Sequence, residues 1–382
     1  MTDLKAVRRE IDQIDEELVR LFLKRLAASR EVALAKRETG GAVTDPARER
    51  EILARVSKAA GSENENSARL FFSTLFAISK ARQRNLLRGE SPLVDAIRES
   101  VAKHAGGFPS LGTVACCGTE GSYAQQSATR LMKVPTIVYY DEFEKVFEAV
   151  EKGDCQYGVL PIENSASGSV TTVYDLMQRH RFHIVRSLRL KVDHALLARP
   201  GVKLEDIREI SSHPHALAQC HEFIKRFTGV KVVPNSNTAV AAKELADSGR
   251  TDMAVIASRA CAELYGLDLV AEGIQDARYN YTRFICIAKQ LEIYPEANKI
   301  TIMLSLPHRP GALQSIISKF AAIDVNLTKL ESRPIPGMDF EFRFIFDFEA
   351  SPNDLSVRSL LSELSMDPDI EHFEFLGAYA EK

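Results

Sequence analysis

A chain of 382 residues is long for one domain and sufficient for two or three. Hydrophobic residues make up 45% and charged residues 26%, as in ordinary globular proteins, and a net charge of −3 points to neither nucleic acid nor an anionic membrane as partner. The start, Met1-Thr2-Asp3-Leu4-Lys5, has no signal-peptide core, no apolar run is long enough for a bilayer, and six cysteines without a Cys-x-x-Cys pair fit a reducing compartment, so a cytoplasmic protein is expected.

Residues 1–90 have a helical period throughout. One helix is predicted to about Arg37, a second from Pro46 to about Ala60 and a third from about Asn66 to Leu87, with Thr44-Asp45-Pro46 as a helix start in which Asp45 caps. The first helix has an apolar seam through Leu4, Ile11, Ile14, Leu18, Leu21, Ala28 and Val32, and Arg8, Arg25 and Lys36 sit on that seam. A cation facing a helical interior costs several kcal/mol unless an anion meets it, so the seam predicts an anion pocket. Snorkelling or internal pairing is the plainer alternative. Arg25 and Lys36 are about 16 Å apart in axial rise and can share one small ligand. Arg8 is roughly 25 Å from Arg25, so it serves a second pocket, reached through a symmetry-related chain. Arg48, Ser79 and Gln83 can add contacts from the other helices, although Arg48-Glu49 also reads as a solvated pair and Ser79 with Gln83 as a polar face.

After a connector over 88–110 with a short helical middle, strands and helices alternate from Thr113: Thr113–Cys117, Tyr157–Ile162, Glu209–Ser211, Lys231–Val233, Met253–Ala257 and Phe284–Ala288 read as strands of an α/β domain. Two loops, Cys117-Gly118-Thr119-Glu120-Gly121-Ser122-Tyr123 and Pro161-Ile162-Glu163-Asn164-Ser165-Ala166-Ser167-Gly168-Ser169, place small polar residues at expected helix starts, where free amides can bind a carboxylate or simply be capped. Ser211-Ser212-His213-Pro214-His215 opens a helix carrying Gln219. Asn280-Tyr281-Thr282-Arg283-Phe284 enters a strand with Thr282 and Phe284 on one face and Arg283 on the other. From Lys299 a strand (300–306), helix (310–322), two strands (325–331 and 339–348), helix (352–364) and strand (373–379) follow the ferredoxin-like order βαββαβ.

These residues carry three family resemblances. Residues 1–90 resemble the all-helical chorismate mutase, a domain-swapped dimer that rearranges chorismate to prephenate. The resemblance implies that Arg25, Lys36, Asp45, Arg48, Glu49, Ser79 and Gln83 bind the dianion and that Arg8 reaches the partner's site. A pericyclic rearrangement needs a compact conformer and a donor at the ether oxygen rather than a nucleophile, and Lys36 with Gln83 suit that oxygen. The Pro161-Ile162-Glu163-Asn164 loop and the Thr282-Arg283-Phe284 strand resemble prephenate dehydratase over roughly 112–288. That family implies two lobes of the periplasmic-binding type, Thr282 as the essential hydroxyl, and Asn164 and Gln219 as polar substrate contacts. His215, Thr119 and Ala124 depart from the family's usual residues without touching those three. Pro310-Gly311-Ala312-Leu313 and Glu331-Ser332-Arg333-Pro334 resemble an ACT regulatory domain, which implies a phenylalanine site including Gly311, Ala312, Leu313, Asn326, Glu331 and Ser332.

The expected organisation is multidomain: an all-α mutase domain (1–90), a linker (91–111), a two-lobed α/β dehydratase domain (112–290) and a ferredoxin-like ACT domain (298–382). The resemblances imply a bifunctional enzyme of L-phenylalanine biosynthesis, acting on chorismate and then prephenate, inhibited by L-phenylalanine, and a homodimer or larger. No cofactor, metal, nucleic acid or membrane partner is expected. Two alternatives stay open: a dehydratase whose helical segment serves only dimerisation or regulation, and an amino-acid sensor built from a binding-protein fold and an ACT domain.

Overall fold

The computed structural model describes residues 3–39, 43, 45–88, 91–335, 337 and 341–382; Met1, Thr2 and Thr44, named in the sequence analysis, and Asp339, the expected start of a strand, lie outside them. The chain divides into two compact units, residues 1–95 with 307–323 and 358–371, and residues 96–306 with 324–357 and 372–382.

In the first unit, helix α1 (Leu4–Thr39) is followed by α2 (Pro46–Arg88). Asp45 Oδ1 accepts from Arg48 N at 3.0 Å, which is the expected cap of α2. Gly61 breaks α2 with φ 74° and ψ 166°, but helix resumes at once, so the predicted gap over 62–65 is helical instead. Only a residue without Cβ enters that left-handed φ cheaply, so the break is confined to one position. The seam of α1 is not covered within this chain: Ile11, Leu18 and Leu21 are each about half exposed (49%, 46% and 48%). In the same unit Arg84 of α2 pairs with Asp367 at 3.1 Å, and Asp367 also meets Lys319 at 3.1 Å.

Among the described residues the second unit holds the strands β1 (Leu111–Cys117), β2 (Val134–Tyr140), β3 (Tyr157–Asn164), β4 (Gly168–Ser169), β5 (His183–Lys191), β6 (His194–Ala198), β7 (Glu209–Ser212), β8 (Lys231–Pro234), β9 (Met253–Ser258), β10 (Asp268–Glu272), β11 (Tyr281–Ala288), β12 (Lys299–Ser305), β13 (Asn326–Pro334), β14 (Phe342–Glu349) and β15 (His372–Glu381). One sheet has the order β13-β14-β12-β15-β5-β11-β3-β1-β2, with β4 folded back on β3; the other is β10-β6-β9-β7-β8. The chain crosses from the first sheet to the second after β5 and returns before β11, so two short connections join two α/β lobes. Each lobe has its own apolar core: Leu160, Ile162, Tyr174, Ile184, Ile285 and Ile287 in the first, Leu197, Ala242, Leu245 and Val255 in the second.

The large sheet is continuous through β15, whose Ala380 and Glu381 pair in parallel with Arg186 and Ser187 of β5. The backbones come so close there that a Cβ on Gly377 would lie 2.1 Å from Ile184 O, which explains a glycine inside this strand. The second loop differs from its predicted form. Asn164 does not lead directly into a helix; β4 first turns back to pair with Glu163 and Asn164, and the helix starts at Thr171. No described helix is long and apolar enough to cross a membrane.

Candidate active sites

Antiparallel pairing of β11 with β3 sets Thr282 directly beside Asn164, residues 118 apart in sequence. Ala166 N and Ser167 N both donate to Asn164 Oδ1 at 2.9 Å. The loop amides that could have bound a carboxylate are therefore spent on the asparagine. In return they fix its direction: a backbone N–H can only donate, so the other end of the side chain, Nδ2, is the donor. It donates to Thr282 Oγ1 at 2.9 Å and to Asn280 Oδ1 at 2.7 Å. Thr282 is 8% exposed, and with its oxygen already accepting from Asn164, its own O–H is left to donate.

The second lobe supplies Gln219, at the end of the helix Pro214–Gln219. Its Nε2 donates to Ser167 Oγ at 3.0 Å and Asn164 Oδ1 at 3.3 Å, while its Oε1 accepts from Asn280 Nδ2 at 2.9 Å. The three residues expected from sequence thus meet in one network, and Asn280, Ser167 and His194 join them. His194 Nε2 lies 3.0 Å from Gln219 Oε1. Burial pushes the His194 pKa below its ordinary 6.5, which keeps the ring neutral at pH 7. The glycine loop also meets the second lobe, with Gly121 O accepting from Ser258 Oγ at 3.0 Å and Glu120 O from Tyr265 Oη at 2.6 Å. His215 is exposed and stacks on His213.

The neighbours of the two central residues point the opposite way. Arg283 pairs with Asp347 of β14, with Glu381 of β15 at 2.9 Å, and donates to Tyr379 Oη at 2.7 Å. Burial alone lowers a guanidinium pKa, but Tyr379, Asp347 and Glu381 reverse this and hold Arg283 charged. Glu163, beside Asn164, meets Lys329 of β13 at 3.1 Å, and Ser169 Oγ donates to Glu331 at 2.9 Å. Asn326, also on β13, donates to Glu349 at 2.9 Å, and Ser332 is exposed. Gly311, with φ 82°, caps the helix that begins Ala312-Leu313 in the other unit.

Along α1, Arg25 donates to Ser79 Oγ at 2.6 Å and to Leu75 O at 3.3 Å, with Phe76 beneath it at 5.5 Å; burial lowers its pKa. Gln83 Nε2 donates to Ser29 Oγ at 2.6 Å, while its buried Oε1 has no partner among the described residues. Ser29 sits one turn beyond Arg25, as Gln83 does beyond Ser79; the matching spacing on α1 is the signal in the sequence that points to Ser29. Lys36 Nζ reaches Val43 O at 3.0 Å, and Glu49 pairs with Lys80 at 3.0 Å. Arg48 turns to Glu51 at 2.6 Å in an exposed pair, and Arg8 is exposed.

Two family models match this chain, chorismate mutase type II over residues 7–84 and prephenate dehydratase over 114–292. They define an enzyme with two activities, a mutase and a dehydratase on one polypeptide. The bifunctional chorismate mutase/prephenate dehydratase of Escherichia coli (strain K12) is 30% identical over 370 residues, 94% of this chain and 92% of the relative. The chain belongs to the bifunctional chorismate mutase/prephenate dehydratase family. Its dehydratase part is also similar to arogenate dehydratase/prephenate dehydratase 2 of Arabidopsis thaliana, 40% identical over 66% of this chain and 68% of the relative. The solved prephenate dehydratase of Arthrobacter aurescens in complex with L-Phe has a TM-score of 0.63 and 31% identity, covering 70% of this chain and 90% of that one. The chain therefore carries out the step from chorismate to prephenate and the step from prephenate onward in phenylalanine biosynthesis.

Proposed function

We propose that prephenate is held between the two lobes over 112–290 and that Thr282 is the donor to its departing hydroxide. Loss of carbon dioxide leaves an electron pair in the ring, the carbon–oxygen bond breaks, and hydroxide leaves as the ring becomes aromatic. The driving force lies in the substrate, so the protein has to orient it and supply a hydrogen bond where negative charge grows. The direction of the hydrogen bonds at Thr282 carries this reading: Asn164 donates to Oγ1, so the threonine proton is free for the leaving oxygen. Asn164 and Gln219 then present the remaining polar contacts.

Chorismate rearranges, on this reading, at the helical domain (1–90), with Arg25, Lys36, Ser79 and Gln83 at its centre and Asp45, Arg48 and Glu49 at its margin. The buried Gln83 Oε1, unpaired among the described residues, and the partly buried Arg25 support this placement. The exposed seam of α1 is covered by a second copy of the chain, whose Arg8 enters the site. Lys36 and the Gln83 amide face the ether oxygen, and since the amide does not titrate, its contribution stays constant across neutral pH.

Residues 298–382 form a ferredoxin-like ACT domain that binds L-phenylalanine through Gly311, Ala312, Leu313, Asn326, Glu331 and Ser332 and inhibits the dehydratase. In support of this, the solved prephenate dehydratase of Arthrobacter aurescens is in complex with L-Phe. The links from β13, β14 and β15 to Glu163 and Arg283 give such binding a route to the residues beside Asn164 and Thr282. One coupled assay tests the whole scheme: chorismate is supplied, and prephenate and phenylpyruvate are followed with and without added phenylalanine. Both products and a phenylalanine-dependent fall in phenylpyruvate are expected; chorismate turnover that survives unchanged in Lys36→Ala refutes the mutase site.

A further inference from the structure

The hydrogen-bond network that begins at Thr282 ends on a histidine with no role in the account so far. We propose that His194 is a positioning residue of the dehydratase: as the neutral Nε2–H tautomer it donates to Gln219 and holds the one amide orientation that supports Asn164 and, through it, Thr282. This rests on Thr282, Asn164 and Gln219 forming the dehydratase site.

Two backbone amides dictate the tautomer. Ala166 N and Ser167 N donate to Asn164 Oδ1, so that atom is an oxygen. Gln219 approaches it at 3.3 Å and Ser167 Oγ at 3.0 Å with its NH₂ end. Its other end is therefore the oxygen, which receives Asn280 Nδ2 at 2.9 Å and lies 3.0 Å from His194 Nε2. An amide oxygen only accepts, so His194 Nε2 carries the proton and Nδ1 is bare. Tyr123 Oη stands 3.4 Å from that Nδ1 and gives its proton chiefly to Asp193 O at 2.8 Å. Flipping Gln219 would set its NH₂ against the NH₂ of Asn280 and the N–H of His194, and its oxygen against the Asn164 oxygen, leaving several buried groups unpaired.

The placement suits a positioning role. His194 is the first residue of β6, just past the first crossover between the lobes, and is only 3% exposed, beneath Gln219. Its own backbone is held on both sides: N donates to Gln275 Oε1 at 3.0 Å, and O accepts from Ile274 N at 3.2 Å. It acts on the reacting end of the site only through Gln219. A histidine in an otherwise apolar strand, His194-Ala195-Leu196-Leu197-Ala198, thereby gains a purpose.

Dehydratase kinetics of the full chain with prephenate test this. His194→Leu removes the donor and is expected to lower kcat about tenfold, the worth of one hydrogen bond, with KM moved less than about threefold. In His194→Gln the side-chain amide N–H restores the donor, and kcat returns to within about threefold of wild type. A thermal melt of each variant followed by tyrosine fluorescence or circular dichroism reports that the dehydratase lobes are folded. An unchanged kcat in His194→Leu, or a His194→Gln as slow as the leucine variant, overturns the proposal. Should the leucine variant not fold, ¹⁵N spectra of histidine-labelled wild type decide: the resonance lost in His194→Gln is expected to be a neutral Nε2–H ring at pH 7, and an Nδ1–H tautomer or an imidazolium overturns it. Retained dehydration in Thr282→Ala would instead sink the underlying site, so the two failures are distinguishable.

Discussion

At the proposed dehydratase site, Thr282, Asn164 and Gln219 meet in one hydrogen-bond network built within the chain. Along α1 the contrast is plain: Arg25 finds local partners on α2, yet Ile11, Leu18 and Leu21 of the same seam are about half exposed, and Arg8 is exposed as well. The two chemistries explain why both designs can work. Dehydration needs one donor aimed at one leaving oxygen, and an amide network within a two-lobed fold can aim it. The rearrangement needs only that a dianion be clamped in a compact shape, and cations from two chains can do that as well as cations from one.

Removing the aimed donor is the sharpest way to break this comparison. Thr282→Ala is expected to lower dehydratase kcat about a thousandfold while chorismate turnover stays at the wild-type rate, measured with the two substrates on one preparation. The reciprocal change, Lys36→Ala, is expected to lower chorismate turnover about a hundredfold and leave prephenate consumption alone. If either substitution damaged both reactions equally, the sites would not be separate.

Smaller effects probe the charged face behind the dehydratase. Asp347→Asn leaves Arg283 buried with one carboxylate fewer and is expected to cost about 3 kcal/mol of stability, read by urea denaturation, and to weaken phenylalanine inhibition. The smallest effect is in acid. A histidine whose folded pKa is depressed binds its proton more readily when unfolded, so its stabilising contribution is complete above the unfolded value and is lost as pH falls below about 6.5. His194→Gln is therefore expected to lose less stability than wild type between pH 7.5 and 5.5, measured by thermal melts at both. Equal losses would mean that His194 titrates as freely in the folded chain as in the unfolded one.

Much of this arrangement was legible in the sequence because the period of apolar residues changes twice along it. Helical spacing before residue 90, alternating strands and helices from Thr113 and the βαββαβ order from Lys299 located the elements, and Asp45, Ser122 and Gly311 marked helix starts that the structure retains. What stayed hidden is pairing between distant strands. No local pattern says that Thr282 will lie opposite Asn164, or that Arg283 on the reverse face will meet Asp347. The loop after Asn164 admits two readings in the sequence, a carboxylate site or simple capping, and only the coordinates show that its amides are spent on Asn164 itself. Asn280 and His194 were passed over because a single polar residue beside a strand has no spacing to betray it.

Subunit mixing tests the contrast most directly. Arg8→Ala and Lys36→Ala chains, each poor in chorismate turnover, are refolded together, and in a parallel sample Thr282→Ala and Asn164→Ala chains are treated the same way. If the mutase site is shared and the dehydratase site is not, the first mixture regains about a quarter of wild-type mutase activity, because half of random dimers are mixed and each has one intact site of two. The second mixture regains no dehydratase activity. Recovery in the dehydratase pair, or none in the mutase pair, would contradict the account.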